Sequence, residues 1–116
     1  MAQEKNFENR VKKYLKDHDC YIVKHHGGYF SKAGIPDLLV SCNGRFIGIE
    51  IKADNGKPSK LQMENIKDIN KSEGIGLILH PSEFELFKSM ISKIMVFKLN
   101  DAFSIRNKIM ELRGYE

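Results

Sequence analysis

The stretch GIPDLLVSCNGRFIGIEIK, residues 34 to 52, constrains the fold of this chain more than any other. Asn43-Gly44 lies between two apolar runs. A two-residue hairpin turn of the favoured kind needs positive φ at both central positions, which Asn and Gly tolerate best. The pair therefore sets a strand from Asp37 to Cys42 against a second strand from Arg45 to Lys52. Pro36 has no backbone donor and suits the entry to the first strand rather than its middle. Side chains alternate faces along a strand, so Glu50 and Lys52 point the same way, roughly 6–7 Å apart, while Ile49 and Ile51 turn into the core. Away from its turn the hairpin thus carries three ionisable residues, Asp37, Glu50 and Lys52, where apolar ones would fill a core most simply.

The flanking segments extend the hairpin into an α/β domain. Phe7, Val11, Tyr14 and Leu15 recur at helical spacing and predict an amphipathic helix over 6–17. Tyr21 to Lys24 reads as a short strand, and HHGGYFSKAGIP, residues 25 to 36, as a glycine-containing loop. Asn55-Gly56 and Pro58 break the chain after the hairpin. Ser59 and Gln62 have the spacing of a capping box, so a helix should run from about Lys60 to Gly74, with Met63, Ile66 and Ile69 on its inner face. A brief strand over 76–79, a helix opening at Ser82 and running to about Ser92, a fifth strand over 93–99 and a last helix over 101–112 complete the order α-β-β-β-α-β followed by α-β-α. That order fits one domain, residues 1–116, with a central mixed sheet flanked by helices. The stripe of Phe84, Phe87, Ile91 and Ile94 suits the core or a dimer interface.

Bulk properties exclude several classes. No run approaches the ~18–20 apolar residues of a membrane span, and MAQEKNFENR does not read as a signal peptide. Two cysteines, Cys20 and Cys42, are too few for a disulfide scaffold and fit a reducing cytoplasm, bacterial or that of a phage-infected cell. The net charge of +4 and pI of about 9.1 are compatible with a polyanionic partner. Lys12, Lys24, His25, His26, Lys32, Lys57 and Lys60 bracket the acidic pair and form a candidate phosphate-facing rim.

Two carboxylates close together repel unless a cation lies between them. Hard carboxylate oxygens at a partly open site favour Mg2+ or Mn2+, which can activate a water and stabilise charge on a phosphoryl oxygen. An adjacent ammonium, that of Lys52, would orient the water or steady the transition-state charge. The reaction this points to is phosphodiester hydrolysis.

An E-x-K alone is weak, since a chain of this length carries on the order of one by chance. The combination is specific. GIPDLLV, then GIEIK, then GKPSKLQ resembles the PD-(D/E)xK nuclease superfamily, and within it the VRR-NUC branch of small stand-alone phage and bacterial proteins. Archaeal Holliday-junction resolvases are similar in layout. The resemblance, over about Phe7 to Leu79, implies a restriction-endonuclease-like core and a Mg2+- or Mn2+-dependent endonuclease acting on branched or structured DNA, such as Holliday junctions or flaps. It implies metal ligation by Asp37, Glu50, the main-chain carbonyl of Ile51 and Glu8, a catalytic Lys52, and a supporting Gln62. Glu4 is the rival of Glu8, and Gln62 has a second reading as partner of the Ser59 cap. A homodimer would match a two-fold substrate. The alternative is a non-catalytic nucleic-acid-binding module on the same fold.

Other constellations are weaker. Cys20, His25, His26 and Cys42 are zinc-ligand types without paired spacing. Gly27, Gly28 and Gly34 are not followed by the G-K-[ST] of a phosphate-binding loop; they suit positive φ or a close approach of backbone to substrate. Tyr29 and Phe30 fit either the core or stacking on a splayed base.

Overall fold

In the computed structural model, which describes residues 2–27 and 32–115, Asn43 and Gly44 both take positive φ (51° and 84°) and close the expected hairpin. It joins β2 (Leu38–Cys42) to β3 (Arg45–Ile51), with Leu38 opposite Ile49 and Cys42 opposite Arg45. Ahead of them come α1 (Ala2–Asp17) and β1 (Tyr21–Lys24); after them come α2 (Lys60–Lys71), β4 (Ile75–Leu79), a 3-10 turn (Pro81–Glu83), α3 (Phe84–Met95) and α4 (Leu99–Glu111). The sheet order is β1-β2-β3-β4. The first three strands are antiparallel and β4 runs parallel to β3, with α2 as the crossover. The fold is thus α/β with a four-stranded mixed sheet flanked by helices.

A single cluster of buried side chains unites α1, the sheet, α2, α3 and α4. Ile47, Ile49 and Ile51 are fully buried, as the alternation required. On the other face α2 lies close to the sheet: a Cβ on Gly48 would stand 2.6 Å from the Ile69 Cδ1 methyl and 3.3 Å from Pro36 Cγ, so a larger residue there would require the Ile69 side chain to shift. The Ser59–Gln62 capping box forms as expected, with Gln62 N–H donating to Ser59 Oγ (3.1 Å) and Ser59 N–H to Gln62 Oε1 (2.8 Å).

Three expectations are corrected. The first helix begins at Ala2 instead of Asn6. The fifth strand over 93–99 is absent: α3 continues through Met95, because Ile91 and Ile94 extend the buried stripe of Phe84 and Phe87 by further helical turns. Phe97 then turns the chain at φ 61° with its ring exposed, and α4 follows. That stripe is core, leaving it no role in a dimer interface. Third, Cys20 and Cys42 are joined in a disulfide. The pairing of Tyr21 with Ser41 makes them the next opposite pair, with Cα atoms 4.7 Å apart, inside the range a disulfide spans. Gly28, Tyr29 and Phe30 lie outside the described residues.

Candidate active site

Asp37 precedes β2 by one residue, so the register that pairs Leu38 with Ile49 sets it beside Glu50. Its Oδ2 accepts a hydrogen bond from the Ile51 N–H at 2.9 Å. Glu50, only 3% exposed, faces α2, where Gln62 Nε2 donates to its Oε2 at 2.9 Å. Gln62 therefore fills both roles open to it, capping α2 with one amide atom and holding Glu50 with the other. Lys52, on the same side of β3, places Nζ 3.6 Å from Glu50 Oε2.

The other oxygen of Glu50, Oε1, is buried without a partner among the described residues. Burial raises the carboxyl pKa, the neighbouring charge of Asp37 raises it further, and Lys52 opposes only part of this, so it is pushed up to about 8. A protonated acid in this position is what two crowded carboxylates become without a cation. Asp37 and Glu50 supply hard oxygens and one orphaned lone-pair site, so the residues present fit Mg2+ or Mn2+.

Glu8 is also buried, on α1, whereas its rival Glu4 is partly exposed. The structure does not bring Glu8 into one ligand group with Asp37 and Glu50. Lys24 stands between, its Nζ 2.7 Å from Glu8 Oε1 and 3.7 Å from Asp37 Oδ1. Lys12 approaches Glu8 Oε2 at 3.4 Å without hydrogen-bond alignment. Burial alone would raise the pKa of Glu8, but Lys24 and Lys12 outweigh it and hold the carboxyl below its ordinary value. Among the described residues, no three His, Cys, Asp or Glu side chains gather closely enough to hold an ion by themselves. Of Ile51 the contact seen is its amide, on Asp37.

A cleft of about 330 Å3 opens over the pair, lined by His25, Lys32, Gly34, Asp37, Glu50 and Gln62 among others. The positive φ of Gly34 (81°) serves the protein itself: a Cβ there would lie 2.7 Å from the Leu61 backbone, and Asn65 Nδ2 donates to the neighbouring Ala33 carbonyl at 3.2 Å. The loop is thereby docked on the start of α2, which sets one wall of the cleft. Of the basic residues expected to face phosphate, His25 and Lys32 line this cleft. His26, Lys57 and Lys60 are exposed outside it, and Lys12 and Lys24 are committed to Glu8. The sequence placed Lys24 on the phosphate-facing rim; the strand register that sets it opposite Leu38 brings it beside Asp37 instead, and no local sequence signal marks that position.

Residues 2–73, which carry α1 through α2 and every residue of the acidic site, match the family model of the archaeal Holliday junction resolvase (Hjc). No curated protein and no solved structure matches the chain significantly. The matched segment exceeds half of the 116 residues, and the chain belongs to the archaeal Holliday junction resolvase family, a family of PD-(D/E)xK-type endonucleases.

Proposed function

We propose that the chain is a divalent-metal-dependent endonuclease that hydrolyses phosphodiester bonds in branched DNA, four-way junctions or flaps, with Asp37, Glu50 and Lys52 as its reactive centre. The observation that carries this reading is the buried Oε1 of Glu50, unpartnered among the described residues and set against Asp37 in a cleft that His25 and Lys32 also line. Asp37 and Glu50 would hold Mg2+ or Mn2+, with the carbonyl of Ile51 as a further oxygen. When bound, such an ion supplies an activated water and stabilises charge on a phosphoryl oxygen.

The protein's own groups do the rest. Gln62 fixes one oxygen of Glu50, leaving the other for the ion. The Ile51 amide orients Asp37. Lys52 carries its ammonium beside Glu50, where it can orient the attacking water and balance charge on the pentacovalent phosphorus. Lys24 keeps Glu8 ionised and lends Asp37 a positive neighbour, so Glu8 shapes the field from behind the pair. His25 and Lys32 face a phosphate entering the cleft. Cleavage leaving a 5′-phosphate accords with the superfamily, and the GxPD, ExK and following glutamine support kinship with the VRR-NUC branch.

Cleavage of labelled linear duplex, single strand, flap and four-way junction DNA tests the reading, with Mg2+, Mn2+ or EDTA, using wild type beside Lys52→Ala. Metal-dependent cutting of branched DNA that Lys52→Ala reduces at least 100-fold is the expected result. Tight junction binding without cutting in any metal would establish the inert binding module in its place.

A further inference from the structure

The two residues that follow Lys52 are held by parts of the molecule far away in sequence. Lys52 N–H donates to the Leu79 carbonyl at the end of β4 (3.0 Å). Next along the chain, the Ala53 carbonyl meets His80 Nδ1 at 2.8 Å, and His80 is fully buried. A carbonyl can only accept, so Nδ1 carries a proton; burial holds the His80 pKa below its ordinary value, so the ring is neutral and Nε2 is the acceptor. The partner of Nε2 is the Tyr115 hydroxyl, 2.8 Å away, donating to it, and the two rings lie stacked with centroids 5.8 Å apart.

Asp54 is gripped as firmly. Arg113 Nη1 donates to its carbonyl (3.0 Å), Ser82 Oγ to its Oδ1 (2.9 Å), and its own N–H donates to Gln3 Oε1 (3.0 Å). Arg113 is itself anchored on Glu83 through Nε at 3.0 Å. Thus the N-terminus of α1, the segment after β4 and the chain after α4 converge on the turn that carries Lys52. Ala53 is buried and Asp54 exposed, and a short turn at a strand end needs few of these bonds for folding alone; a lysine that must be held within about 0.5 Å of its productive position needs its backbone fixed.

We propose that His80 and Tyr115, supported by Arg113, are positioning residues for Lys52: a brace built from the part of the chain outside residues 2–73. The inference rests on the reading of Lys52 as the catalytic ammonium.

Single-turnover cleavage of a four-way junction in Mg2+ tests it, with junction affinity measured in Ca2+ and thermal melting recorded for each variant. Lys52→Ala comes first, because wild-type cutting by that variant would overturn the reading of Lys52 itself and the brace with it. Given a slow Lys52→Ala, His80→Ala should slow cleavage on the order of 10-fold or more with affinity unchanged. His80→Asn, which keeps a donor for the Ala53 carbonyl, should recover much of the rate. Tyr115→Phe, which removes one hydroxyl and leaves the stacked ring, should slow cleavage several-fold and decides the matter if His80→Ala does not fold. Added to Lys52→Ala, Tyr115→Phe should cost nothing further, since its effect passes through that lysine. Wild-type rates in folded His80→Ala and Tyr115→Phe, a loss confined to affinity, or an equal loss in the Lys52→Ala background would each overturn the brace.

Discussion

At the scale of single residues, the site is defined by a conflict that folding leaves in place. Glu50 is an acid in a buried position beside Asp37, and its pKa is pushed up to about 8. Unfolded, this carboxyl ionises near its ordinary value; folded, it keeps its proton to about 8. The unfolded chain therefore loses a proton that the folded chain retains, and the metal-free protein loses stability as pH rises between those values. Glu50→Gln, which keeps the shape of the carboxyl and removes its charge, should be more stable than wild type at pH 8 in EDTA, by on the order of a few kcal/mol. At pH 5 the gap should close. A variant that melts lower than wild type at pH 8 would contradict the strained carboxylate pair. Sequence made Asp37, Glu50 and Lys52 legible because strand alternation and an Asn-Gly turn fix their positions almost without tertiary information. It left Lys24 illegible: an ammonium between Glu8 and Asp37 depends on where the end of β1 meets α1, and nothing local in YIVK carries that.

At the scale of elements, α2 and the loop before β2 do most of the positioning. The capping box was legible because its residues are three apart. The second duty of Gln62, on Glu50, needs the close seat of α2 on Gly48, a contact between segments far apart in the chain. Gly34→Ala should be among the most damaging single changes in this loop. It adds a Cβ against the Leu61 backbone at a residue with φ of 81°, so the loop must move off α2 or the helix must yield. A loss of about 1–3 kcal/mol is expected in urea or thermal unfolding, with slower junction cleavage beyond what unfolding explains. An unchanged stability and rate would show that the loop does not depend on this docking. The element misread from sequence was Lys93 to Leu99: IMVF is a short apolar run that fits strand and helix alike. The helix prevails because Ile94 falls one turn beyond Ile91 into the same core, leaving Val96 and Phe97 outside.

At the scale of the whole molecule, the family match covers residues 2–73, which carry the acidic site, and the remainder completes the sheet and holds the turn after Lys52. The Cys20–Cys42 bond belongs to this scale too, since only the β1–β2 register brings those residues together across the intervening loop. If the proposed substrate is a two-fold junction, one site per chain calls for a homodimer. Tyr21 and Phe46, exposed on one sheet face with Val23, offer apolar surface for it. Light scattering at micromolar concentration should give twice the 13.4 kDa chain mass, and the mass of one chain would contradict the dimer. The central claim is that Asp37 and Glu50 form a metal centre, and titration calorimetry with Mn2+ at pH 7, in two buffers of different ionisation enthalpy, tests it most directly. Because metal-free Glu50 holds its proton up to about 8, binding must expel it. The account expects release of close to one proton per ion, at an affinity that rises with pH and is largely lost in Glu50→Gln. Binding with no proton release and unaffected by Glu50→Gln, or no binding at all, would contradict it.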